Sequence, residues 1–178
     1  MKIGQLFDVS GKAAVITGGA SGFGLAAGKA LALNGAHVTL VDVNADALAR
    51  AVKSLGGEGL HVASAVADVT DKLAIQDAMD GAVKTFGAVD ILFANAGISG
   101  GPGFLAADGS RNPATQIENQ ASEVWEKVLD INLMGAVKTI QAAVPQMKKQ
   151  GAGRIIVTSS CSATKTEIFV GSGYVISK

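Results

Sequence analysis

The stretch Thr17-Gly18-Gly19-Ala20-Ser21-Gly22-Phe23-Gly24 decides the fold. An apolar run, Ala13-Ala14-Val15-Ile16, precedes it, and Leu25-Ala26-Ala27-Gly28-Lys29-Ala30-Leu31-Ala32-Leu33 follows with the composition of a helix. The glycines therefore fall where a buried strand turns into a helix. At such a junction, unpaired backbone N–H groups and the positive end of the helix dipole face outward and attract phosphate. Glycine is needed where the backbone turns tightly and approaches a ligand with no Cβ in the way. The spacing is G-x-x-x-G-x-G, and its strand-turn-helix context points to a dinucleotide site. Gly18, Ser21, Gly22, Phe23 and Gly24 are the candidate residues of that turn.

Outward from this turn, strands and helices alternate. The first strand is predicted over residues 12–17, and the first helix runs to about residue 34, with Gly35 as its stop. A second strand over 36–42 leads to a helix over 45–55, capped by Asn44 and ended by Gly56-Gly57. A third strand covers 60–67. Thr70 and Asp71 open a third helix that reaches residue 86 and closes at Gly87, and a fourth strand covers 89–94. Residues 97–120 read as a long irregular loop, a length that usually marks function. A fourth helix is expected over 121–149, with a kink or early end at Pro145, then a fifth strand over 153–159 and a helix starting at Tyr174.

The strands are short, continuous apolar runs, as expected when both faces are covered. Right-handed crossovers then give an α/β, Rossmann-type doubly wound parallel sheet. The expected strand order is 3-2-1-4-5, with ligands at the carboxyl ends near the switch between strands one and four. Residues 1–178 read as a single domain.

Composition narrows the function. Fifteen basic residues balance fifteen acidic ones, so no net field favours nucleic acid or an anionic membrane. Apolar residues make up 48% but aromatics only 4%, and the 23 glycines suit helices packed tightly on a sheet. Charge or glycine interrupts every apolar run before membrane-span length. Residues 1–8 lack a signal-peptide h-region, so a cytoplasmic location is expected. Cys161 is the single cysteine and cannot form an internal disulfide, and no Cys/His cluster suggests a metal.

Two further features carry chemistry. Asp42 ends the second strand, 18 residues after Gly24. A carboxylate there accepts both ribose hydroxyls of NAD and repels the extra phosphate of NADP, and no Arg or Lys lies nearby to reward that phosphate. NAD is therefore the expected cofactor. Tyr174 and Lys178 form Y-x-x-x-K, and residues four apart share a helix face. A nearby ammonium stabilises phenolate, so the tyrosine can exchange a proton with an alcohol or carbonyl. Ser159-Ser160, at the end of the fifth strand, would lie beside the same crevice. His37 and His61 read as packed strand residues, Cys161 has no activating base, and Trp125 reads as a helix-packing anchor.

Together, Thr17-Gly18-x-x-x-Gly22-x-Gly24, Asp68-Val69-Thr70, Asn95-Ala96-Gly97, Asn132, Ser160 and Tyr174-x-x-x-Lys178 resemble the short-chain dehydrogenase/reductase family of the non-extended, classical kind. The resemblance implies that Tyr174 is the general acid/base. It implies that Lys178 holds the nicotinamide ribose and favours the phenolate, and that Ser160 hydrogen-bonds the substrate oxygen. Asn132 would hold a water in a proton relay to Lys178. Asp68 and Val69 would contact the adenine, while Asn95, Ala96 and Gly97 would lie beside the cofactor. The implied substrate is a small secondary alcohol or ketone, and the implied assembly a homodimer or homotetramer.

Three departures from the family pattern stand out. Ala94 occupies a position where the family often has a second Asn. The spacing of 14 residues from Ser160 to Tyr174 is slightly long, which leaves Ser159 or Ser162 as alternatives. The segment between Gly97 and Asn132 is also long, and its excess, residues 100–117, is expected at the substrate mouth or at an oligomer contact. Family members usually continue beyond the position of Lys178, so the chain is expected to be a piece of a longer protein that lacks the family's C-terminal strands. Two other functions compete: a non-catalytic NAD-binding domain, and a methyltransferase, which needs the glycine turn and Asp42 but not Y-x-x-x-K.

Overall fold

Ala13–Thr17, with all five residues buried, forms β1 at the centre of a parallel sheet in the computed structural model. The structure describes residues 7–106, 108–165, 168 and 170–178. After β1 come α1 (Gly22–Leu33), β2 (His37–Asp42), α2 (Ala45–Gly57), β3 (Val62–Val66), α3 (Lys72–Phe86) and β4 (Ile91–Ala94). Then follow α4 (Ser122–Leu129), α5 (Gly135–Gln150), β5 (Arg154–Val157) and α6 (Ser172–Ser177). The sheet order is β3-β2-β1-β4-β5, every pairing is parallel, and the chain reverses direction across the sheet between β1 and β4, as the sequence predicts.

Side chains alternate across the sheet and meet helices on both faces. Ala14 and Ile16 join Val38, Leu40 and Ile91 on one face, beneath Ala32 of α1 and Leu48, Ala51 and Leu55 of α2. Val15, Val41 and Leu92 point the other way, against Ile75, Ala78, Met79 and Ala82 of α3 and Ala142, Ala143 and Met147 of α5. Helix starts follow their caps. Asn44 Oδ1 accepts from Ala47 N at 2.9 Å, and Asp71 Oδ1 accepts from Leu73 N and Ala74 N at 2.9 and 3.1 Å.

Some boundaries differ from the sequence reading for identifiable reasons. Helix α2 runs on through Gly56 and Gly57 and turns at Gly59, whose φ is +78°. His61 lies just before β3. Strand β4 is Ile91–Ala94, and the residues just before it are held by side chains as well as by backbone bonds: Asp90 N donates to Ala13 O and Asp90 O accepts from Arg154 N, each at 2.8 Å. Gln150 Oε1 accepts from Val89 N at 3.0 Å and its Nε2 donates to Val89 O at 3.2 Å, while Asp90 Oδ2 accepts from Ala13 N at 2.9 Å. The expected fourth helix is two helices, α4 and α5, joined by a π-helical turn at Asp130–Met134. Pro145 stays within α5 and does not end it.

The stretch expected to be irregular is folded. Leu105 and Arg111 form an antiparallel bridge, Ala106 N donates to Ser110 O at 2.8 Å, and Gly109 turns the chain with φ +83°. Two 3-10 turns, Pro113–Thr115 and Ile117–Asn119, complete it. The Asp108-Gly109 pair was the available turn signal, because Asp and Gly supply the local hydrogen bond and the left-handed φ. Ala107 lies outside the described residues, as do residues 1–6, on which most of the expectation about a signal segment rests. Among the described residues, no helix is long and apolar enough to cross a membrane.

Candidate active site

A cleft of about 780 Å³ opens at the carboxyl ends of the strands, beside the switch between β1 and β4. Gly18, Ser21, Gly22 and Phe23 of the glycine turn line it. Asp42, Asp68, Val69, Asn95, Ala96 and Gly97 come from the ends of β2, β3 and β4, and Tyr174 and Lys178 from α6. Gly24, Asn132 and Ser160 do not line it.

Gly24 is structural to the turn: a Cβ there would run into Gly18 O and sit 2.8 Å from Asn95 Nδ2. The turn is also held from β2. Asp42 Oδ2 accepts from Ala20 N at 3.1 Å, and Oδ1 accepts from Asn44 N at 3.0 Å. One carboxylate thus ties the glycine turn to the start of α2. Asp68 Oδ1 accepts from both Thr70 N and Thr70 Oγ1 at 2.8 Å, which sets the turn into α3.

Asn95 is the hub of the strand ends. Its Nδ2 donates to Thr17 O at 3.1 Å and its Oδ1 accepts from Thr158 Oγ1 at 2.9 Å. Thr17 Oγ1 accepts from Asn95 N and Ala96 N at 3.1 and 3.2 Å. Lys178 Nζ donates to Thr158 O at 3.1 Å and lies 5.7 Å from the centre of the Tyr174 ring. Burial holds the Lys178 ammonium below the ordinary lysine range, because the charged form has lost solvent. A Cβ at Gly97 would stand 3.1 Å from Asn132 Oδ1 and 3.3 Å from Lys178 Nζ, so a bare backbone lets both groups reach the same floor.

Asn132 sits in the π-helical turn and is buried. Its Oδ1 accepts from Ile98 N at 2.8 Å, and its Nδ2 donates to Ile98 O and to Ser177 Oγ, each at 2.9 Å. Both amide hydrogens are therefore engaged with protein. Of the three serines, Ser159 Oγ donates to Lys178 O at 3.2 Å and Ser162 is buried. Ser160 Oγ accepts from Ser162 N at 3.2 Å, which leaves its own hydrogen for another acceptor.

Thr158 and Ser177 are site residues that sequence reading did not single out. Only the neighbourhood of Ser160 and Lys178 pointed to them. Trp125 packs near Gly173 of α6: a Cβ at Gly173 would meet its ring at 3.8 Å. His37 and His61 lie edge to face at 4.9 Å at the amino ends of their strands, away from the cleft. Cys161 is exposed.

The family model for short chain dehydrogenase matches residues 12–178, and the chain belongs to that family. It is 36% identical over 152 residues to dehydrogenase/reductase SDR family member 4 of Bos taurus, covering 85% of this chain and 50% of the relative. Among solved structures it is similar to an NAD+-bound xylitol dehydrogenase, with TM-score 0.83 and 32% identity over 96% of this chain and 60% of that one. A short-chain type dehydrogenase/reductase from Mycobacterium marinum gives TM-score 0.87 and 32% identity, covering 100% of this chain and 68% of that one. The chain spans about half the length of the curated relative named here.

Proposed function

We propose that this chain carries the cofactor and proton-transfer half of an NAD-dependent oxidoreductase acting on a secondary alcohol or ketone. One observation carries the reading: the cleft gathers the glycine turn, Asp42 and the Tyr174–Lys178 pair within one opening. A glycine turn with left-handed φ at Gly18 and Gly22, next to a helix N-terminus, fits a pyrophosphate, and a cleft of about 780 Å³ is large enough for a dinucleotide. The known NAD-bound relative supports the same cofactor.

In this reading the backbone N–H groups at the start of α1 bind the pyrophosphate, while Gly19 N and Ala20 N stay engaged by Val41 O and Asp42 Oδ2. Asp42 receives the adenosine ribose hydroxyls and repels a 2′-phosphate. Asp68 and Val69 hold the adenine, and Asn95, Ala96 and Gly97 form the floor. NAD, when bound, supplies hydride transfer to or from a carbinol carbon. Tyr174 Oη gives or takes the proton of the substrate oxygen, and the Lys178 ammonium stabilises the phenolate form. Ser160 Oγ, whose hydrogen has no acceptor among the described residues, orients that same oxygen from beside the cleft lining. Asn132 acts through its side-chain clamp on residue 98 and on α6, so any water it holds in a relay is bound through its backbone. The assembly that goes with this reading is a homodimer or homotetramer.

Tyr174→Phe tests this. Turnover of secondary alcohols with NAD is expected to fall by about 10²–10⁴ or more. The NAD dissociation constant should stay within about fivefold of the parent value, since a single lost hydroxyl contact is worth about 1 kcal/mol. Retained turnover would overturn the role of Tyr174, and tighter binding of NADP than of NAD would overturn the cofactor.

A further inference from the structure

Thr158 makes three hydrogen bonds that meet at the working end of the cleft. Its N donates to Ala94 O at 3.1 Å, its Oγ1 donates to Asn95 Oδ1 at 2.9 Å, and its carbonyl accepts from Lys178 Nζ at 3.1 Å. Asn95 passes the link on to Thr17 O. A continuous chain, Thr17–Asn95–Thr158–Lys178, therefore crosses the carboxyl ends of β1, β4 and β5 and finishes on the ammonium.

The direction of each bond is forced. Asn95 Nδ2 is committed to Thr17 O, so Oδ1 must face β5 and needs a donor there. The Thr158 hydroxyl supplies that donor while its backbone N stays paired with β4. A β-branched side chain also has few χ1 states, so the Oγ1 bond holds the peptide whose carbonyl meets the lysine. Lys178 is half-buried, and a fixed carbonyl partly replaces the water that its charge has lost.

We propose that Thr158 is a positioning residue: its Oγ1–Asn95 bond locks the carbonyl that aims the Lys178 ammonium at the cofactor ribose. The assignment rests on the NAD reading above. Thr158 lines the cleft, but the role assigned to it is not direct contact with the substrate or the reacting atoms. It acts through Lys178.

The test is a double-mutant cycle on NAD affinity, measured by calorimetry with NAD as the probe. Thr158→Val, which keeps the shape and removes the donor, weakens NAD binding about fivefold to tenfold, the scale of one neutral hydrogen bond. The same change in a Lys178→Met background alters affinity less than about twofold, because the residue it serves is gone. Thr158→Ser keeps the donor and binds NAD within about twofold of the parent in the Lys178 background. The alkaline loss of NAD affinity, set by Lys178, also begins at lower pH in Thr158→Val, since the ammonium has lost its fixed acceptor.

Equal losses in both backgrounds would show a merely structural effect and overturn the assignment, as would parent-like affinity in Thr158→Val. If the valine variant does not fold, the serine variant still decides: a fivefold loss in Thr158→Ser overturns the proposal. A parent chain that binds no NAD overturns the dinucleotide reading, and this assignment with it. Binding by the parent with independent effects of the two substitutions overturns this assignment alone.

Discussion

Asn132 Nδ2 donates to Ser177 Oγ at 2.9 Å, across 45 residues of sequence, and Ser177 Oγ donates in turn to Tyr174 O at 2.8 Å. The π-helical turn is thereby clamped to the first turns of α6. Both residues are buried, with 5% and 7% of their surfaces exposed, so neither can turn to water if its partner is lost. Ser177→Ala strands one amide hydrogen of Asn132 and is expected to cost about 1–3 kcal/mol of unfolding free energy. Urea unfolding of the two proteins checks this, and an unchanged midpoint would mean that the clamp carries no stability.

Lys178 predicts a pH dependence. Its folded-state pKa lies below the ordinary value of 10.5 because burial penalises the charged form. Between the folded and unfolded values the unfolded chain binds more protons, so stability rises with pH there. Below the folded pKa both states are protonated and the penalty is present in full. It is relieved as pH climbs through the folded pKa towards 10.5. Urea titrations across the alkaline range should show a rising contribution in the parent that Lys178→Met lacks.

Two glycine-to-alanine changes should have opposite signs. Gly24→Ala drives a Cβ into Gly18 O, so the glycine turn must open. A loss of about 1–3 kcal/mol and of NAD affinity is expected, as for overpacking. Gly81 is exposed in the middle of α3, and a Cβ there meets nothing within 4 Å. Gly81→Ala should stabilise the chain by about 0.5–1 kcal/mol through helix propensity alone. Thermal unfolding with and without NAD measures both.

Strand β5 pairs with β4 on one side, and its other edge is open among the described residues. Ile155, Ile156 and Val157 are 41%, 51% and 49% exposed. An apolar strand with an open edge pairs readily with other chains. Ile156→Lys in this 178-residue chain is expected to reduce concentration-dependent association in sedimentation velocity. Unchanged association would place the contact elsewhere.

Much of the site was legible because it is local. The glycine turn, Asn44, Asp71 and Gly87 each act on neighbours within a few residues, and their caps and turns form as the sequence implies. The hairpin around Asp108-Gly109 was missed because its flanking strands are a single bridge, too short for any alternating pattern. The π-helical turn was missed because periodicity continues through it, and Pro145, the visible breaker, is carried inside α5.

By itself the sequence determined the alternation of strand and helix, the parallel sheet and the glycine turn, since these follow from apolar spacing and from residues that set their own backbone. The tertiary structure alone decided how polar groups are spent. Asp42 holds the glycine turn, Thr158 meets Asn95 across 63 residues, and Ser177 closes on Asn132. The physical reason is that a hydrogen bond has a direction and a short reach. Chain spacing puts a hydroxyl or amide near the cleft, but only the packed sheet brings donor to acceptor within about 3 Å.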